Sequence, residues 1–74
     1  MIEKRLTAVI QREEHKYVAL CPEVDIASEG DTIETARENL IEALELFFEV
    51  AEPEEIERRM REEPFITTVR VAVG

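Results

Sequence analysis

Hydrophobic and polar residues alternate from Lys4 to Arg12. Leu6, Ala8 and Ile10 fall on one side and Arg5, Thr7, Val9 and Gln11 on the other, the two-residue period of a half-buried strand. Glu13, Glu14, His15 and Lys16 form a polar connection, and Tyr17–Cys21 reads as a second strand, apolar on both faces. So short a connection predicts an antiparallel hairpin. Pro22 has no amide hydrogen, so the ladder should break or bulge there. A short third strand covers Val24–Glu29 and ends at Gly30-Asp31, two residue types that tolerate the dihedrals of a tight turn.

From Thr32 the period becomes helical. Thr32 is the best N-cap, with Asp31 as its rival, and Glu34 in the first turn meets the positive end of the helix dipole. At ~100° per residue, Ile33, Ala36, Leu40, Ala43, Leu44, Phe47 and Ala51 share one stripe, which is expected to pack on the sheet. With Phe47 and Phe48 at its C-terminal end, the helix predicts a core that thickens there. Phe47 points inward; Phe48, near Ile41 on the flank, reads either as the edge of the core or as an oligomer contact. Pro53 at a first helical position, followed by Glu54 and Glu55, opens a short second helix to about Glu62. Its apolar content is thin, Ile56 and Met60, and Pro64 stops it.

Alternation returns at Phe65–Val73. Phe65, Thr67, Val69, Val71 and Val73 share a face, and Ile66, Thr68, Arg70 and Ala72 share the other. This predicts a fourth strand. The expected fold class is therefore α+β, a βββαβ unit with one long helix packed on the sheet and a short second helix, in a single domain over residues 1–74. A right-handed crossover would lay the fourth strand parallel to the first, in sheet order 3-2-1-4, with the helices on one face. Such an edge strand carries one charge, Arg70, and is an aggregation hazard unless covered. Phe48, Val69, Arg70 and Val71 are accordingly the expected contacts of a homo-oligomer, either dimer or tetramer.

Size and composition sharpen this. A chain of 74 residues buries only ~60% of its unfolded surface, and such a core seldom supplies more than ~3–5 kcal/mol. The single cysteine forms no internal disulfide, which leaves oligomerisation as the natural supplement. Asp and Glu number 18 against 9 Lys and Arg, a net charge of −9 that repels phosphate backbones and argues against autonomous nucleic-acid binding. The same charge attracts a basic partner, or else simply keeps a small protein in solution. No signal-peptide apolar region and no apolar run near the ~20 residues of a membrane span is visible, so a cytoplasmic location with reduced Cys21 is expected.

The segment YVALCPEVDIASEGDTIETARENLIEALELFFE resembles the HicB family, the antitoxins of HicA–HicB toxin–antitoxin pairs. The resemblance is carried by Tyr17 and Ala19, by Pro22, by the Gly30-Asp31-Thr32 turn, and by Glu34, Ala36, Asn39, Leu40, Glu42 and Ala43. It covers roughly residues 3 to 50 plus a strand-rich tail. It implies a truncated ribonuclease-H-like fold and a module that binds and neutralises a small basic HicA-type ribonuclease toxin. Many members carry Pro-Gly where this chain has Asp25-Ile26. Full-length members add a C-terminal DNA-binding domain that these residues do not encode, so operator binding by this chain alone is not expected.

Glu34, Glu38, Glu42, Glu45 and Glu49 stack into one acidic stripe on the outer face of the long helix. Like charges at i,i+4 cost ~0.2–0.5 kcal/mol per pair, and Arg37 alone relieves them from the flank. The stripe reads either as a solvated face or as the docking surface for a basic partner. Metal-dependent nuclease chemistry is a remote alternative, because it needs several carboxylates converging on the first strand and its neighbours. The first strand offers Glu3 at its fringe; Asp25 and Asp31 fall near turns. His15 and Cys21 are single and about 20 Å apart along the strand, which suits neither a nucleophilic pair nor a zinc site. The expectation is thus no enzyme, no catalytic residue, no metal and no cofactor, with a stand-alone oligomeric binding protein as the alternative to an antitoxin.

Overall fold

Glu14 and His15 close a hairpin between β1 (Val9–Glu13) and β2 (Lys16–Cys21). The structure is a computed structural model that describes residues 4–62 and 64–74. Glu14 takes φ 51°, the left-handed conformation that a hairpin loop this tight demands. The strands pair antiparallel from Val9 opposite Leu20 to Glu13 opposite Lys16. β3 (Ile26–Gly30) then pairs antiparallel with β2, Tyr17 opposite Gly30 and Cys21 opposite Ile26. The result is a sheet in the order β1-β2-β3.

β1 begins later than the alternation from Lys4 predicts. Continuing its register would set Thr7 opposite Pro22, which offers no N–H to the ladder. The Thr7 amide donates instead to both carboxylate oxygens of Glu23, at 3.1 and 3.0 Å. β3 also begins later than expected. Val24 lies in the turn, beside Asp25 at φ 56°, yet it is 1% exposed and belongs to the core.

The long helix, α1, runs Ile33–Val50. The Thr32 hydroxyl accepts the Thr35 amide at 3.0 Å, which settles the N-cap in favour of Thr32. Ala36 and Leu40 join Ala19, Cys21 and Val24 in the fully buried core. Ile33, on the same stripe, precedes the point where the helix meets the sheet at Gly30 and is 48% exposed, not packed. The thickening expected at Phe47 and Phe48 is also absent: both are half-buried, and the buried cluster sits at the other end of α1.

α2 (Pro53–Arg61) opens with proline in its first turn, where no intrahelical amide is needed. Arg59 anchors it. Its guanidinium donates to the Val24 carbonyl and, at 3.2 Å, to Glu55, and it lies 5.2 Å from the centroid of the Phe47 ring. One cation thus ties the second helix to the β2–β3 turn and to α1.

No fourth strand is present among the described residues. Residues 64–74 form neither strand nor helix, and Phe65, Val69, Val71 and Val73 are 77 to 92% exposed. The radius of gyration is 14.4 Å, where a compact chain of this length would have about 11 Å. The sheet order 3-2-1-4 and the parallel pairing of a fourth strand with the first are therefore corrected to a three-stranded antiparallel sheet, β1-β2-β3. An alternating pattern states which side chains share a face; it does not supply the neighbouring backbone that makes a strand. The missing strand also explains the thin core under Phe47 and Phe48.

Candidate functional site

Two surface features follow from this arrangement. The first is the outer face of α1. Because one helix face lies on the sheet, residues near the opposite azimuth point to solvent, and Glu34, Glu38, Glu42, Glu45 and Glu49 are all exposed. None of the five has an ion-pair partner among the described residues; the ion pairs present use Glu29, Glu55 and Glu57. The structure thus brings the five predicted carboxylates together as one uncompensated acidic strip.

Asn39 marks the border of that strip. Its amide donates to the Glu29 carbonyl at 2.8 Å, capping part of the outer edge of β3. The edge is thereby partly satisfied from within the chain, and α1 is fixed in rotation above it.

The second feature is an open groove between α1 and the segment 4–8. Leu6, Leu40, Ile41, Leu44, Phe48 and Ile56 supply its apolar lining. It exists because α1 packs chiefly on β3, less on β2 and least on β1. The helix flank therefore overhangs the β1 side, where the described residues place no strand beneath it. Phe48 stands in this wall, edge-on to Phe47 with centroids 5.2 Å apart. Of the predicted oligomer contacts, only Phe48 is on the body of the fold. Val69, Arg70 and Val71 lie on the exposed tail and do not join the cluster around Phe48.

Sequence patterns did not single out Glu23, which clamps Thr7, a residue of the segment that borders this groove. Besides the Thr7 amide, its carboxylate accepts the Thr7 hydroxyl at 2.7 Å and the Cys21 thiol at 3.4 Å. Burial opposes its ionisation, but the hydrogen bonds from Thr7 and from backbone amides prevail and hold the carboxyl below its ordinary range. Burial first, and then the contact with Glu23, pushes the Cys21 thiol up, so it stays protonated and unreactive. A glutamate directly after a proline turn was the only available sign of this clamp. Its partner lies 16 residues away, beyond the reach of local pattern.

Among the described residues, no group of three or more His, Cys, Asp or Glu side chains is placed to hold a metal ion. Glu3, the carboxylate at the fringe of the expected first strand, lies outside the described residues. Asp25 is in the β2–β3 turn and Asp31 in the turn before α1, both exposed, and His15 is exposed at the hairpin. No helix among the described residues is long and apolar enough to cross a membrane. No protein-family model, curated protein or solved structure matches this chain.

Proposed function

We propose that this chain is a HicB-like interaction module that binds a small basic ribonuclease of the HicA type and masks its active site, with no chemistry of its own. The observation that carries the reading is the acidic strip, which has no ion-pair partner among the described residues. Glu34, Glu38, Glu42, Glu45 and Glu49 are exposed together on a helix that the sheet holds from behind. Three of their i,i+4 pairs repel by ~0.2–0.5 kcal/mol each. A cost of that kind, kept on a rigid support, fits a surface that a cationic polypeptide neutralises. Complementary charge speeds the encounter and selects the partner. The residues that carry the family resemblance support the same reading. Asn39, Leu40 and Ala36 set the helix on the sheet, and the Gly30-Asp31-Thr32 turn starts it. The proposal includes a truncated ribonuclease-H-like core and a cytoplasmic location.

Co-expression with the product of a short neighbouring reading frame, basic and with one histidine, tests this. The two should co-purify, and RNA cleavage by the partner should stop at equimolar chain. Reversal of Glu38, Glu42 and Glu45 to Lys should abolish the protection. Cleavage that continues in the presence of excess chain would sink the antitoxin reading. A second reading, a stand-alone oligomeric binding protein whose partner is not a toxin, draws on the apolar tail at Phe65–Val73.

A further inference from the structure

The tail and the groove are complementary halves of one missing layer. The groove presents Leu6, Ile41, Leu44 and Phe48 beside β1, and among the described residues β1 is an edge strand, paired with β2 alone. The tail presents Phe65, Val69, Val71 and Val73 to solvent, all at positions of one parity, so that in strand conformation they would share a face. Four large apolar side chains exposed at 77 to 92% on nine residues form an unprotected strand template. Edge strand and unpaired segment each lack what the other has.

We propose that two copies of this chain exchange their tails, residues 65–73 of each adding as a strand beside residues 4–13 of the other and filling the partner's groove. The occupant is a second copy because the tail runs out from the body of its own chain. The structure measures 48 × 28 × 18 Å, and Val69 and Val71 stay clear of the cluster around Phe48. Each copy offers one donor and one acceptor, so the exchange is reciprocal and closes as a two-fold dimer with no tail left over. Main-chain hydrogen bonds to the β1 edge supply the affinity, and the alternate side chains entering the groove supply the register. Val69 and Val71 point into the groove against Ile41 and Phe48, and Arg70 points to the opposite, solvated face. The exchange restores a fourth strand to each sheet and covers the side of the core that the chain alone leaves thin. It stands whatever partner the acidic face of α1 takes.

Sedimentation equilibrium of the full chain at micromolar concentration, together with isotope-filtered NOE spectroscopy on a one-to-one mixture of labelled and unlabelled chains, tests the inference. A dimer with filtered NOEs between the Val69 or Val71 methyls and the Phe48 ring is the expected result. The full-length double variant Val69→Asp, Val71→Asp should raise the dimer dissociation constant by about a hundredfold or more, since it would bury two unpaired carboxylates. Should that variant misfold, the filtered NOEs of the unaltered chain still decide. A monomer overturns the proposal, as does a dimer indifferent to the double substitution. So do NOEs between tail and groove that vanish under filtering, which would place the tail on its own sheet.

Discussion

Gly30 lies so close to Ala36 that a Cβ on the glycine would sit 2.6 Å from the Ala36 amide nitrogen and 2.8 Å from the Thr35 carbonyl carbon. The last residue of β3 and the first turn of α1 are thus in backbone-to-backbone contact. Gly30 does not take a positive φ, so its role is to leave space, not to adopt a turn conformation that other residues avoid. The expectation of special turn dihedrals at Gly30 is corrected accordingly. Gly30→Ala should destabilise the fold by about 1–3 kcal/mol, because the obstructing atoms are helix backbone and cannot rotate away. Urea unfolding measures this; an unchanged midpoint would refute the contact.

The Glu23 clamp makes stability depend on pH. The folded carboxyl titrates below its ordinary, unfolded range. Its contribution is fully present above that range and is lost as pH falls through the lowered folded value. Glu23→Gln removes the charge that receives three donor groups and should cost about 1–2 kcal/mol at neutral pH. The variant should also lose part of the acid-side slope of stability. Parallel pH–stability curves for the two proteins would argue against an ionised clamp.

Arg59 is the tether of α2. Arg59→Ala deletes a charged hydrogen bond to the Val24 carbonyl and a cation stacked on Phe47, together about 2 kcal/mol. The loss should appear locally, as faster amide exchange across 53–61 with α1 protection little changed. Arg59→Lys keeps the charge without the planar fork and should restore only part of it. Uniform loss of protection through both helices would show that α2 is not an independently docked element.

On the acidic strip, stability and binding should separate. Glu38→Lys sets a cation between Glu34 and Glu42 and replaces two repulsive i,i+4 pairs with attractive ones. The fold should gain about 0.5–1 kcal/mol while association with a basic partner slows. A variant that is both more stable and slower to bind is the signature of a surface kept for an encounter. Faster binding, or a loss of stability, would contradict it.

The helices were legible because their signals are local. Thr32 before a helical period and Pro53 after it mark ends that the structure reproduces. The hairpin and the break at Pro22 follow from a short polar connection and a missing amide. What stayed hidden depends on groups distant in sequence. The Thr7–Glu23 clamp ends β1, Val24 is buried although it lies in a turn, and Arg59 reaches the Val24 carbonyl from 35 residues away. The tail misled because its alternation is that of a strand, whereas a strand also needs a neighbour, and none is provided within the described chain. Of the candidate surfaces, the five glutamates were readable from helical spacing. The groove was not, because it is defined by where α1 fails to cover β1.

The central claim is that the outer face of α1 exists to meet a basic polypeptide. Stopped-flow association of the chain with its co-purifying basic partner, for the natural sequence and for the Glu38, Glu42 and Glu45 to Lys variant, measured from low to high salt, tests it most directly. The account predicts an on-rate at least about tenfold lower for the variant at low salt, with the two converging as salt screens the charges. Equal on-rates at low salt would contradict it.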